Sequence, residues 1–145
     1  MTSKTKIYVG GTFDCFHRGH VNLLRQAKNV ADYVIVALNS DDFATSYKCQ
    51  PIMNEIERLD VIRSCKYVDM SFIMEAHNNQ KKYIEMIKPN FILHGNDWTG
   101  DSLINQLGIS QEFLDDNEIK MHYVPYTIGI STSDIKDRII NQQTT

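Results

Sequence analysis

The sequence predicts an α/β protein, a doubly wound parallel five-stranded sheet with helices on both faces. Two observations predict it. Short apolar runs alternate with stretches of helical periodicity in the order β-α-β-α-β-α-β-α-β-α, a pattern that favours a parallel sheet covered by helices. The run over residues 33–38 is apolar at successive positions, as in a strand buried on both faces.

Residues 7–9 form the first expected strand, followed by the loop Gly10-Gly11-Thr12-Phe13-Asp14. Over 19–30, Val21, Leu24 and Ala27 recur at helical spacing. The second strand is 33–38, with a polar stretch containing Lys48 after it. A helix is expected over 54–66, where Asn54 and Glu57 suit the N-cap and the third helical position. Strands at 71–74 and 91–93 flank a helix over 79–88, which Pro89 stops. Residues 102–117 read as helical with a break near Gly108. A fifth strand at 121–124 and a closing helix over 132–141 complete the order. A doubly wound sheet holds its ligand beyond the carboxyl ends of its strands. The segments to inspect are therefore 11–20, Lys48, 95–98 and 127–132.

The 145 residues suit one domain spanning 1–145, its first five polar residues frayed. With 42% hydrophobic residues, the chain has enough apolar side chains for a core. A net charge of −3 gives no broad basic patch, which argues against a nucleic-acid partner. An anionic ligand must then be held by a few placed cations and backbone amides. Cys15, Cys49 and Cys65 form neither a CxxC pair nor a metal-ligand spacing and suit a reducing, cytoplasmic setting. No apolar run is long enough to insert into a membrane.

Gly11-Thr12-Phe13-Asp14-Cys15-Phe16-His17-Arg18-Gly19-His20 is the first segment with chemistry in it. Gly10 and Gly11 let the backbone approach a ligand closely. His17 and His20 stand at the mouth of a helix, where exposed amides and the helix dipole attract anions. Two imidazoles there can donate hydrogen bonds to phosphate oxygens. The plain alternative is a pair of polar helix-capping residues. The second segment is Gly129-Ile130-Ser131-Thr132-Ser133-Asp134-Ile135. Ser131 and Asp134 fit a capping box; the same helix start, with its hydroxyls and amides, is also an anion cradle. Taken alone, Lys48 reads as a surface lysine, and Arg58 as an i,i+3 partner of Glu55. Asp97 and Trp98, after the fourth strand, fall at the crevice, where a carboxylate would take a hydroxyl or a metal; the alternative is a turn aspartate beside a half-buried tryptophan.

These segments resemble a known family. The first is similar to the GTFDxxHxGH signature of the cytidylyltransferases, and Ile130-Ser131-Thr132-Ser133-Asp134-Ile135 to their ISTSxI signature. Between them, Met53-Asn54-Glu55-Ile56-Glu57-Arg58 and Cys65-Lys66-Tyr67-Val68-Asp69 resemble the family's MNExER and CRYVD segments. The resemblance runs over residues 7–139 and is closest to the glycerol-3-phosphate members.

It implies a Rossmann-like fold and transfer of CMP from CTP to a phosphorylated alcohol, with pyrophosphate released. His17, His20 and Lys48 would be catalytic. Gly11, Thr12, Phe13, Gly19, Asp97, Gly129, Ile130, Ser131 and Thr132 would bind the nucleotide, the last three its β- and γ-phosphates. Asp14, Lys48, Lys81, Lys82 and Trp98 would bind the acceptor. Mg²⁺ would come with the CTP phosphates rather than on protein ligands, and a homodimer is expected. Glycerol 3-phosphate is the leading acceptor; phosphoethanolamine, phosphocholine or a phosphonate comes next, then adenylyl transfer, and lastly a non-catalytic nucleotide-binding module. Four departures stand out. Lys66 replaces an arginine before Tyr-Val-Asp, and Tyr126-Thr127-Ile128-Gly129 replaces Arg-Thr-Glu-Gly. Asn96 replaces the first aspartate of Gly-Asp-Asp-Trp, and His77 or Asn78 stands where a tryptophan is common.

Overall fold

The computed structural model describes residues 4–47, 49–75, 80–95, 108–125 and 127–143. Five parallel strands form one sheet in the order β3-β2-β1-β4-β5. They are β1 (Lys6–Gly11), β2 (Tyr33–Asn39), β3 (Met70–Met74), β4 (Phe91–Gly95) and β5 (Lys120–Val124). The helices are α1 (Arg18–Val30), α2 (Asp41–Tyr47), α3 (Glu55–Arg63), α4 (Gln80–Ile87), α5 (Gln111–Asp116) and α6 (Thr132–Gln143). The doubly wound expectation therefore holds.

Alternation along the strands builds two cores. Ile7, Val9, Val34, Val36 and Leu38 face α1 and α3, meeting Leu24, Ala27, Leu59 and Ile62. Tyr8, Ala37 and Ile92 face the other way, towards Ile84 of α4 and Leu114 of α5. Residues of one strand thus divide between opposite faces, as a period of two requires.

Strand order reverses between β1 and β4. Their pairing stops at Val9↔Leu93, whereas β1 continues against β2 to Gly11↔Leu38 and β4 against β5 to Gly95↔Val124. The sheet therefore parts at the carboxyl ends of its central strands, where a doubly wound fold takes its ligand.

Two features differ from the sequence reading, and a third is described only in part. Thr5, expected to fray, is pinned: its amide and hydroxyl donate to the Asp32 carboxylate, and its carbonyl accepts from Tyr33. Helix α2 was not expected. Its start is marked by Ser40, whose hydroxyl accepts from the Phe43 amide, and by Asp41 and Asp42 in the first turn, where negative charge suits the helix dipole. Among the described side chains of this short helix, Phe43 and Ala44 are the buried ones, too few to show a period. Of the helix read over 102–117, the described part is the turn at Gly108 and α5; residues 102–107 lie outside the described residues. Among the described residues, no helix is long and apolar enough to cross a membrane.

Candidate active site

The first signature leaves β1 through a tight loop. Phe13 and Cys15 both take left-handed backbone conformations, φ 55° and 51°, which side chains other than glycine adopt only under tertiary constraint. The constraint is visible. Phe13 is buried, its ring folded over Gly11, where a Cβ would stand 2.8 Å from a ring carbon. The Asp14 carboxylate, also buried, accepts from the amides of Ile52 and Met53 at 2.8 and 3.0 Å. Thr12 receives a hydrogen bond from Asn39 at the end of β2.

His17 and His20 begin α1 as reciprocal caps. His17 Nδ1 accepts from the Gly19 amide at 3.0 Å, and His20 Nδ1 accepts from the His17 amide at 3.2 Å. An imidazole nitrogen that accepts a hydrogen bond carries no proton, so each neutral ring keeps its proton on Nε2. The caps thus set both tautomers and leave two Nε2–H donors. The rings stack, centroids 3.9 Å apart, and His20 is enclosed by Phe13 and Phe16. Gly19 is required beneath them, since a Cβ there would lie 2.8 Å from His17 Cε1.

Burial, then the neighbouring His17, pushes the His20 pKa down to about 3, against a weaker opposite pull from Asp14. Burial also lowers His17. Both rings are therefore neutral donors at pH 7. The consequence for stability has a definite sign. Between pH 6.5 and about 3 the unfolded chain binds a proton at His20 that the folded chain refuses. Stability is full above pH 6.5 and falls as the pH drops through that window, by up to about 1.4 kcal/mol per unit. Urea unfolding at pH 7.5 and 5.0 should show this loss, and His20→Asn should flatten it; an unchanged slope in the variant would count against the assignment.

The second signature meets the first. Ser131 caps α6, its hydroxyl accepting from the Asp134 amide, while the Asp134 carboxylate pairs with Arg138. Gly129 takes φ 87° in the turn before it. The Thr132 hydroxyl donates to the Asp14 carbonyl at 2.9 Å and lies 3.4 Å from His17 Nε2. Ile130 packs towards Gly19, and Asn22 of α1 donates to Thr127. Imidazoles, hydroxyls and two helix starts therefore meet beyond the carboxyl ends of the central strands, where a doubly wound fold has its ligand cleft, an arrangement suited to a polyphosphate.

A family model described as cytidylyltransferase-like matches residues 8–138. The chain belongs to this family. It is 34% identical over 136 residues to the glycerol-3-phosphate cytidylyltransferase of Bacillus subtilis, covering 92% of this chain and 96% of that protein. It is 30% identical over 137 residues to the ethanolamine-phosphate cytidylyltransferase of Dictyostelium discoideum, covering 93% of this chain but only 36% of that protein's length. Among solved structures, the lipopolysaccharide core biosynthesis protein of Thermoplasma volcanium superposes with a TM-score of 0.70 at 28% identity, over 86% of this chain and 99% of that one.

Within this cytidylyltransferase-like cleft the structure gathers Gly11, Thr12, Phe13, Asp14, His17, Gly19, His20, Ile130, Ser131 and Thr132, with Gly129 in the adjoining turn. Lys81 and Lys82 stand on α4, on the opposite face, with the Lys81 ammonium over the Phe113 ring. Lys48, Asp97, Trp98, Asn96, Tyr126, His77 and Asn78 lie outside the described residues.

Arg58 is a correction. It is not a surface partner of Glu55 but wholly buried, at 0% exposure. Its guanidinium donates to the carbonyls of Met53, Thr12 and Asn39 and pairs with Asp41 at 2.7 Å. Glu55 instead accepts from the Asp41 amide. Arg58 thus ties the signature loop, the end of β2, the start of α2 and the segment before α3 into one joint. A signal for it was present: Arg58 lies on the helix face of Leu59 and Ile62, where a charge needs buried partners.

Proposed function

We propose that this chain transfers CMP from CTP to a phosphorylated alcohol, with glycerol 3-phosphate as the acceptor, giving CDP-glycerol and pyrophosphate. One observation carries the reading: His17 Nε2 and the Thr132 hydroxyl, one from each signature, stand 3.4 Å apart in the cleft. A triphosphate lying across that junction would meet Nε2–H donors on one side and the Ser131–Thr132 helix start on the other.

In this reading an acceptor phosphate oxygen attacks the α-phosphorus of CTP in line. The new P–O bond forms as the bond to the bridging oxygen breaks, and its electron pair leaves on pyrophosphate. The attacking oxygen is already ionised at neutral pH, so the protein need not supply a strong base. The chain contributes position and charge stabilisation. Neutral His17 and His20 donate to phosphate oxygens as negative charge grows there, and the amides at the start of α6 receive the leaving pyrophosphate. Mg²⁺ belongs to the substrate, as MgCTP, where it neutralises phosphate charge. The Asp14 oxygens are occupied by backbone amides.

Glycerol 3-phosphate is favoured because the B. subtilis enzyme is matched over 96% of its own length, and because Lys81, Lys82 and Asp97-Trp98 resemble acceptor-binding positions of such enzymes. The likeness to the ethanolamine-phosphate enzyme makes phosphoethanolamine the second reading. Incubation with CTP and a panel of phosphorylated alcohols, with product mass and pyrophosphate release as readouts, should yield CDP-glycerol first. CDP-ethanolamine as the dominant product would move the acceptor. CTP binding with no product from any acceptor would replace the enzyme by a nucleotide-binding module.

A further inference from the structure

The cleft has a charge problem. Its two imidazoles are neutral at pH 7, and the nearest buried ionisable side chain, Asp14, is an acid. A polyphosphate entering beside them needs full positive charge, to which Lys48, outside the described residues, is one expected contributor. All three guanidinium nitrogens of Arg58 are engaged inside the protein. Arg138 is held by Asp134 at 2.6 Å and by the Gly129 carbonyl. Arg18 is exposed on the first turn of α1.

Lys136 is placed differently. It follows Thr132 by one turn of α6, on the same face. Side chains on a helix lean towards its N-terminus, so the lysine stem runs back towards the Thr132–His17 junction. Its ammonium lies 3.8 Å from Asp14 Oδ2, and its side chain is only 31% exposed. That separation is beyond hydrogen-bond range. Asp14 Oδ2 is already engaged by the Ile52 amide, and Oδ1 by that of Met53. Coulomb attraction therefore keeps the ammonium beside the cleft without any hydrogen bond among the described residues. A loose, partly exposed pair of this kind is weak, so the ammonium can exchange it for a charge-assisted bond to phosphate.

We propose that Lys136 is a phosphate-binding residue of this site. Its ammonium turns from Asp14 to the outer phosphates of the bound nucleotide and holds them as pyrophosphate departs. The inference rests on the cleft being the triphosphate site, and it names a cation there that neither signature contains.

The test compares the wild type with Lys136→Met, which keeps the apolar stem, and with Lys136→Arg. Calorimetry with inorganic pyrophosphate and with MgCTP reads binding directly, and thermal unfolding reads the structural contribution. Lys136→Met should weaken pyrophosphate binding roughly tenfold, the scale of one charge-assisted bond, and bind with a shallower salt dependence at an unchanged melting temperature. Lys136→Arg should restore most of the affinity. Lys136→Met binding both ligands as tightly as the wild type overturns the proposal, whether or not its melting temperature falls. So does a wild type that binds neither ligand. A wild type that binds both yet forms no product with any acceptor sinks the transfer reaction, while the paired dissociation constants still decide the role of Lys136.

Discussion

Arg58→Ala is expected to lower folding stability by about 3–5 kcal/mol, the range for removing one partner of a buried charged network. The substitution removes the hydrogen bonds Arg58 gives to the carbonyls of Met53, Thr12 and Asn39 and its ion pair with Asp41. It also empties the volume of a side chain that is 0% exposed. Lysine should not substitute well, because one ammonium cannot reproduce the planar fork that reaches four acceptors at once. Urea unfolding of the wild type, Arg58→Ala and Arg58→Lys measures the effect; a loss below about 1 kcal/mol for alanine would mean that water replaces the network at little cost. Activity should fall further than stability alone explains, since the Thr12 carbonyl belongs to the signature loop. Addition of nucleotide should restore part of the lost stability by binding the folded state.

His17→Asn should reduce CTP turnover by about 10²–10³-fold, the cost of deleting one preorganised donor to developing charge. Asparagine is chosen because it is itself a good N-cap. It can keep the acceptor that His17 Nδ1 offers to the Gly19 amide while removing the Nε2–H beside Thr132. The melting temperature should therefore stay close to that of the wild type while kcat falls. His20→Asn should lose activity on the same scale but also loosen the loop, because His20 packs against Phe13 and Phe16 and accepts from the His17 amide. Near-normal kcat in pure, folded His17→Asn would remove the imidazole from the mechanism. Because both rings are already neutral, wild-type activity should show no His-like inflection between pH 6.5 and 8.

Much of the fold was legible in the chain. The strand runs are dominated by apolar residues that face both layers, and the capping pattern of Asn54 and Glu57 marked the start of α3. Helix α2 was not legible, because seven residues span too few turns to display a period. Its one local sign was Ser40 ahead of two aspartates. The two signatures could be read as anion-binding segments because their chemistry is local: glycines, imidazoles and hydroxyls at helix starts. Arg58 and Lys136 were missed for the opposite reason. What each does depends on partners distant in the chain, 46 residues away for Thr12 and 122 for Asp14.

The order of elements, their parallel pairing and the identity of the phosphate-directed segments follow from residue type and spacing, which the chain carries wherever it folds. Three things were decided only in three dimensions: that His17 and Thr132, 115 positions apart, meet at one place; that burial lowers the pKa of both imidazoles; and that a charged arginine is the joint of the site. Each depends on desolvation and on distance between remote segments. Those quantities exist only once β1 and β4 part at the centre of the sheet and the loops close around the gap.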